Sequence, residues 1–177
     1  MNRRTHVRFA AAGAIAAVLW LVCGCGYRWT ASADGAEVRV LEFDTVDNRT
    51  YPNRPGLEYE LGRRLKDEIA TDRRFKHTGG PPDVRLRVSL IRFSEPIQIE
   101  DLDTGEPVEV QLRATVLVEA SGEAFAGGRV RRTLTVSQSY APGLGDTRRE
   151  GLDRLWRDLA REILDTAADV EWAPRNS

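Results

Sequence analysis

The sequence has few of the side chains that build metal and thiol chemistry. Its 177 residues include two cysteines and two histidines, and both cysteines lie within the first 25 residues. His77 is then the only histidine or cysteine in the remaining chain, so a zinc-type site built from these ligands is excluded there. We expect neither a metal ion nor any other cofactor.

Lysine is also scarce, because only Lys66 and Lys76 occur and arginine supplies the other positive charges. The 26 basic residues face 27 acidic ones, which gives a formal net charge of −1. We therefore expect no strongly basic surface of the kind that binds nucleic acid. With 41% hydrophobic residues the chain can bury a core, and its length fits a single domain.

Patterns typical of catalytic sites are missing as well. No serine stands in a nucleophile-elbow motif. A Gly-Gly pair at 79–80 runs into two prolines, which lack the N–H groups that cradle phosphate. The segment 101–106 faintly resembles a calcium loop, but Glu106 and Leu112 occupy positions that need a glycine and an acid. We predict an acidic hairpin turn there, and a protein that is not an enzyme.

A long apolar run is confined to the N-terminal region. Arg3, Arg4 and Arg8 precede the apolar, alanine-rich residues 9–22. As a helix, this stretch would rise about 21 Å, which falls short of the roughly 30 Å hydrocarbon core of a bilayer. The pattern therefore predicts a secretory signal peptide and not a membrane-spanning helix.

The next residues resemble a bacterial lipobox. Val22-Cys23-Gly24-Cys25 has an aliphatic residue three positions before Cys25 and a small residue directly before it. The resemblance implies cleavage after Gly24, lipidation of Cys25, and a mature chain with a formal charge of −4. A plain signal peptide with free or bridged cysteines is the alternative. The predicted organisation is a signal peptide at 1–24, a lipidated tether at 25–36, one domain at 37–172 and a flexible tail at 173–177.

Two kinds of apolar periodicity alternate along the mature chain. Apolar residues at every second position predict strands, and apolar residues three and four apart predict helices. The predicted order is β-α-β-β-β-α, with strands at 38–43, 84–93, 108–118 and 130–140 and helices at 56–73 and 147–167. The economical arrangement is an α+β fold in which two helices pack on one face of a four-stranded mixed sheet. Its first strand and helix form a crossover unit, and its last three strands are antiparallel neighbours.

Local features refine this prediction. The alternation slips at Val40–Leu41, which predicts a bulge or a strand buried on both sides, and again at Leu90–Ile91, which predicts a bulge. Thr147 and Glu150 fit a capping box at the start of the last helix. A polar loop and an acidic, extended hairpin connection are expected at 44–56 and 95–107.

Arginines cluster on one face of the predicted sheet. Strand alternation points Arg85, Arg87 and Arg113 away from the helices. Three further arginines crowd the start of the last strand: Arg129, Arg131 and Arg132. Guanidinium groups suit phosphate and carboxylate groups, so these six arginines are the candidate ligand site. For any single arginine the alternative is an ion pair with an acid on a neighbouring strand, such as Glu109, Glu119 or Glu123.

Short motifs along nearly the whole mature chain resemble one known family. In order, they are Cys25-Gly26-Tyr27, the strand 38–43, Asp47-Asn48-Arg49-Thr50, and the helix with Leu57, Leu61 and Leu65. A strand at 83–93, two more strands reaching Tyr140, and a long helix ending near Trp172 complete the outline. In these features the sequence is similar to LptE, a family of lipopolysaccharide-assembly lipoproteins.

This resemblance implies a lipid-anchored protein of the outer membrane that faces the periplasm. Gly26 in place of an aspartate after the lipidated cysteine agrees with that location. Family members plug the LptD-type β-barrel, assist its assembly, and bind lipopolysaccharide through basic residues. Other periplasmic lipoproteins, of the curli-secretion or penicillin-binding-protein-activator type, remain an alternative. A periplasmic hydrolase is a third class, and the absence of catalytic motifs argues against it.

Overall fold

The computed structural model describes residues 38–77, 80–122 and 128–168. The predicted signal peptide, the lipidated Cys25, the tether and the tail lie outside these residues, as do Glu123 and the end of the last predicted helix near Trp172. Within the described ranges, no helix combines the length and the apolar character needed to cross a membrane.

The described chain folds into a sheet with two long helices and a 3₁₀ turn. Its strands are β1 (Arg39–Asn48), β2 (Phe75–Lys76), β3 (Val84–Ser94), β4 (Ile97–Glu100), β5 (Pro107–Ser121) and β6 (Arg129–Tyr140). The helices are α1 (Leu57–Thr71) and α2 (Arg148–Ala168), and the 3₁₀ turn is Pro142–Leu144. The predicted α+β class with two helices and a mixed sheet is confirmed.

The predicted number of four strands is wrong, because the sheet has six. The two additional strands are the shortest ones. β2 has only two residues and pairs with Arg39 and Val40, which is too short for a periodic pattern. β4 lies inside the segment 95–107 that was predicted as a connection. There β4 continues the line of β3 along β5 until the turn at 101–106.

The strand order is β2-β1-β3-β5-β6, with β4 next to β5 beyond the end of β3. β1 runs parallel to β2 and β3, as expected of the predicted crossover unit, and all other pairs are antiparallel. β5 is therefore the central strand. It pairs with β3 and then β4 along one edge, and with all of β6 along the other.

Both helices cover one face of this sheet and enclose the core with it. α1 buries Leu57, Leu61, Leu65 and Ile69, and the buried stripe of α2 includes Leu155, Trp156, Leu159 and Ile163. These residues recur every three or four positions because that spacing places them on one side of a helix. Trp156 packs on Phe93 with ring centroids 5.8 Å apart, and its indole N–H donates to Glu60 on α1 at 3.0 Å.

The predicted local features agree with the structure in part. The capping box is formed: the Thr147 N–H donates to Glu150 at 2.9 Å, and the Glu150 N–H donates to the Thr147 hydroxyl at 3.3 Å. The slip at Leu90–Ile91 is a register shift against β5. Val40 and Leu41 are both buried, and the shift on β1 lies further along, between Phe43 and Val46.

The bulge interrupts the apolar alternation of β1, and the sequence pattern therefore predicts a shorter strand than the structure has. β1 continues to Asn48 and takes in the first residues of the predicted loop at 44–56, where Asp44 and Thr45 are both exposed. Two successive exposed residues break the alternation by which a strand is recognised.

Candidate functional site

The predicted arginines lie mostly on the face of the sheet turned away from the helices, here called the outer face. Along β5 the residues that face the helices are buried, and those between them face outward. The strand register then sets which side chains stand in one row across the sheet. One row contains Glu42, Arg85, Ser121 and Arg129, and the next contains Arg87, Glu119 and Arg131.

Four arginines, Arg85, Arg87, Arg129 and Arg131, form what we call the arginine group. Arg129 is paired with the Glu119 carboxylate, and the Arg131 Nε lies 3.6 Å from the same carboxylate. Arg85 donates to Glu42 at 2.9 Å. Among the described residues, two carboxylates thus face four guanidinium groups. The neighbour pairing expected as the alternative accounts there for only part of the positive charge.

Arg87 is the arginine of this group with the greatest capacity to bind a ligand. Within the described ranges it makes no hydrogen bond or ion pair, unlike the other three. It lines a shallow pocket of about 290 Å³ together with Arg85, Glu119, Ser121 and Arg129. Arginine forks at the wall of a polar pocket can hold an anionic group of phosphate or carboxylate type.

Arg113 shares the outer face but lies at its other end. It is six residues from Glu119 along β5, which is about 20 Å in an extended strand. Its guanidinium donates to Ser137 at 3.2 Å and to Gln111 at 2.7 Å. The structure therefore does not bring Arg113 together with Arg85 and Arg87, although all three face the same side.

Arg132 lies on the opposite face from its neighbour Arg131. Its partner in the register is Val118, a buried residue of the helix side, and residues directly opposite each other share a face. The expectation that all six arginines form one cluster is therefore wrong for Arg132, which lies on the helix side of the sheet. Alternation along β6 already carries this information, since adjacent residues cannot both point to the same side.

Arg92 is a second outward-facing arginine near Arg113, and sequence reasoning missed it. The register places it opposite Thr115 on the outer face. The shift beside Ile91 reverses the phase of β3 at that point, so simple alternation from Arg85 and Arg87 assigns Arg92 to the wrong side.

Other surface features differ in chemistry from the arginine group. An open groove of about 1050 Å³ lies where α1 and α2 begin, and charges of both signs line it, among them Glu60, Arg63, Arg149 and Asp153. The turn after β4 is acidic. Exposed apolar side chains lie on β4, in this turn and in the nearby 3₁₀ turn: Ile97, Ile99, Leu102 and Leu144. The Asp101 carboxylate accepts the backbone N–H groups of Asp103 and Thr104, each at 2.9 Å, which forms the acidic turn predicted there.

The Asp47-to-Thr50 motif organises the chain between β1 and α1. The Asn48 amide donates to the Glu58 carboxylate at 2.7 Å and to the Arg54 carbonyl at 2.9 Å. The buried Thr50 hydroxyl donates to Asn48 at 2.8 Å. The N–H of Glu58 itself, the Asn48 amide and the Gly56 N–H together hold the pKa of Glu58 below its usual value against the effect of burial. The motif therefore has a structural role in this loop.

Comparison with known proteins identifies the family. The sequence model of LptE, the lipopolysaccharide-assembly family, matches residues 38–167. The chain belongs to the LptE family. The match spans every described strand and almost all of α2. The motifs from residue 38 onward that suggested LptE therefore lie within the family region, whereas Cys25-Gly26-Tyr27 and Trp172 lie outside it. No curated protein sequence matches the chain.

Solved structures add a similarity in fold. The protein CT253 of Chlamydia trachomatis aligns with a TM-score of 0.52 at 10% identity, over 75% of this chain and 99% of that one. Rare lipoprotein B of Shewanella oneidensis aligns with a TM-score of 0.46 at 17% identity, over 70% and 93%. A minor lipoprotein of Acinetobacter baumannii aligns with a TM-score of 0.40 at 17% identity, over 72% and 96%. At these identities the first similarity concerns the fold alone.

Proposed function

We propose that this LptE-family protein is a non-enzymatic lipoprotein of the outer membrane that binds lipopolysaccharide and plugs an LptD-type β-barrel. The family match over residues 38–167 is the observation that carries this proposal. In this scheme the domain is held at the membrane by acyl chains on Cys25, faces the periplasm, and assists assembly of the barrel.

The arginine group is the proposed binding site for the phosphates of lipopolysaccharide. Its arginines outnumber the carboxylates that contact them, and Arg87 has no partner in the described ranges. Arg85, Arg129 and Arg131 expose between 58% and 66% of their side chains, so an anionic headgroup can reach all of them. Arg92 and Arg113 would contact a second part of so large a ligand, and Arg132 would contribute only to the general potential.

Binding to vesicles that contain lipopolysaccharide tests this site. We expect the triple variant R85E/R87E/R129E to weaken binding by about tenfold or more, because attraction turns into repulsion at the pocket. The triple variant R63E/K66E/R149E introduces the same change in charge on the helix side and serves as the matched control. Equal binding by the two variants would show that overall charge, and not this pocket, governs the interaction.

The acidic turn after β4 is the surface we propose for contact with the barrel. Between Phe93 and Leu112 the sequence has six acidic residues and no basic one, and the exposed apolar side chains named above stand beside them. An apolar patch with a charged rim is typical of a protein contact.

Purification of the full lipoprotein from detergent-extracted membranes tests the partner. We expect a large β-barrel to co-purify with the wild type and to be lost with L102E, since Leu102 is fully exposed and its substitution disturbs no core. Y59E, which replaces another exposed apolar side chain with an acid but on α1, is the control and should retain the barrel. Recovery of a peptidoglycan synthase in place of a barrel would favour the penicillin-binding-protein-activator alternative. Mass spectrometry of the same sample tests Cys25: an unmodified cysteine would contradict the anchor.

A further inference from the structure

Within the part of the chain that the structure describes, β6 pairs only with β5, so its other edge can accept another strand. The Gln111 N–H donates to the Pro96 carbonyl, toward β4, and Gln111 stands opposite Ser139. The backbone groups of Ser139 therefore point away from β5, and the Ser139 carbonyl indeed accepts the Arg154 guanidinium at 3.0 Å. Because β6 pairs with β5 without any register shift, the same direction holds at every second residue, which includes Thr133, Thr135 and Ser137.

The two edges of the sheet differ in how they are protected. β1, at the other edge, is covered by β2 at its start and bent by a bulge before Val46. From Thr133 to Ser139, β6 has no bulge, no proline, no glycine and no charged residue. Soluble proteins use such devices to keep edge strands from pairing, and this stretch of β6 uses none of them.

The side chains along β6 define the strand that would fit. On the helix side Val130, Leu134 and Val136 pack against the core but are only partly buried, so an apolar neighbour would complete their burial. On the outer side Thr133, Thr135 and Ser137 suit hydroxyl-bearing neighbours. At the start of β6, Arg129 and Arg131 lie on the outer side and Arg132 on the helix side. Acidic residues of an added strand would suit these positions.

We propose that β6 is a docking site for an extended segment of a partner protein that adds to the sheet as an antiparallel strand. The segment is amphipathic, with alternating hydroxyl-bearing and aliphatic residues followed by acidic residues opposite Arg129, Arg131 and Arg132. Its length is limited by Arg154, which occupies the Ser139 carbonyl. This surface is separate from the acidic turn. It shares Arg129 and Arg131 with the arginine group, but the strand pairing itself does not depend on lipopolysaccharide binding.

A second copy of this chain fits the edge less well. In a two-fold antiparallel pair centred on Leu134, Ser139 of one copy would stand opposite Arg129 of the other. Arg154 already lies on Ser139 and is paired with Asp146, while Arg129 and Arg131 share the single carboxylate of Glu119. The pairing would therefore bring an excess of positive charge to each end of the joined strands. Charge complementarity therefore favours a different, acidic partner over self-association.

A synthetic peptide tests the proposal directly. The probe is Thr-Val-Thr-Val-Thr-Glu-Glu-Val-Glu, fluorescently labelled, with a control in which lysine replaces each glutamate. The target is the full chain in detergent, as the wild type, T135P and T135V. Proline removes the outward N–H of Thr135 and blocks pairing, yet is tolerated at an edge whose N–H faces solvent. Valine keeps the N–H, and thermal unfolding verifies that both variants fold.

We expect the acidic peptide to bind the wild type and T135V, and T135P to weaken binding by about tenfold or more. The lysine peptide should bind more weakly than the acidic one. Equal affinity of folded T135P and T135V, or of the two peptides, would overturn the proposal. Dimerisation of the wild type that T135P abolishes, seen by analytical ultracentrifugation, would overturn the choice of partner in favour of a second copy.

Discussion

The two faces of the sheet differ in what holds them together. On the helix side of β5, Leu112, Ala114, Val116 and Val118 expose no more than 1% of their surface. On the outer face, contacts such as the Thr115–Thr135 hydroxyl pair at 3.0 Å and the ion pairs of Glu119 exchange readily with water. Burial of apolar surface stabilises far more than exposed polar contacts do. The helix side therefore provides the stability, and the outer face is free to serve recognition.

Adjacent residues of β5 give the strongest test of this difference. We expect Leu112→Ala to lower the free energy of unfolding by about 2–5 kcal/mol, because Leu112 is fully buried and leaves a cavity. Arg113→Ala, on the outer face, should change it by less than about 0.5 kcal/mol. Urea unfolding of both variants measures the contrast. A comparable loss in both would contradict the division of roles between the faces.

Glycine-to-alanine substitution in each helix measures how closely the helices approach the sheet. A Cβ at Gly151 would lie 3.0 Å from Leu112 Cδ1 and 3.0 Å from Tyr140 Cβ, whereas a Cβ at Gly62 would lie 3.7 Å from Val46. We expect Gly151→Ala to destabilise by about 1–3 kcal/mol through overpacking. Gly62→Ala should stabilise by about 0.5–1 kcal/mol, because alanine loses less entropy in a helix. If both substitutions change the thermal unfolding temperature in the same direction, α2 does not approach the sheet more closely at Gly151 than α1 does at Gly62.

Loss of the capping box should weaken the helix that covers the core. Thr147→Ala removes the hydroxyl that accepts the Glu150 N–H, and we expect a loss of about 1 kcal/mol. Thr71→Ala makes the same change in the last turn of α1 and should alter stability by less than about 0.5 kcal/mol. If the guanidinium unfolding curves of the two variants coincide, the capping box makes no contribution to stability.

A polar contact at the end of the sheet should make stability depend on pH. Glu95 accepts Arg148 at 2.7 Å and Arg54 at 2.8 Å. The hydrogen bond from Arg148 above all, aided by Arg54 and opposed by burial, holds the pKa of Glu95 below its usual 4.5. The carboxylate therefore stabilises the fold above pH 4.5, and this contribution is lost as the pH falls through the lower pKa of the folded state.

Glu95→Gln should remove that part of the pH dependence. We expect this change in stability to be the smallest of those predicted here, because Glu95 contributes only partly exposed polar contacts. Urea unfolding from neutral pH to the acid side of pH 4.5 measures it. Glu100→Gln, at an exposed position of β4, is the matched control and should follow the wild type. If Glu95→Gln also follows the wild type throughout, the contact does not contribute to stability.

The fold could be predicted where a periodic pattern persists. Apolar alternation runs through most of β3, β5 and β6, and apolar stripes run along both helices. The capping box depends only on Thr147 and Glu150. β1 was underestimated because its bulge places Asp44 and Thr45 outward in succession. β2 and β4 were missed because their pairing depends on partners distant in sequence or on a turn, and not on their own residues.

For the candidate site, strand alternation predicted on which face of the sheet the arginines lie, but not which of them lie close together. It correctly placed Arg85, Arg87 and Arg113 on one side, since parity along a strand is a local property. The separation of Arg113 from Arg85 and Arg87 depends on the register between β3 and β5, which no single strand encodes. The same holds for Arg92, whose side is set by the bulge beside it.

The contact between the two helices has a consequence for the order in which the chain assembles. Glu60 and Trp156 are 96 positions apart in the sequence, whereas each of the strands β3 to β6 follows the one before it after only a few residues. Contacts between near neighbours close faster than those between distant ones, so the antiparallel strands can form while the rest of the chain is still loose. The packing of α1 against α2 can form only once α2 exists. A chain that ends before Arg148 lacks α2. The part of the sheet's apolar side that α2 covers would then stay exposed to water, even if all earlier elements had folded.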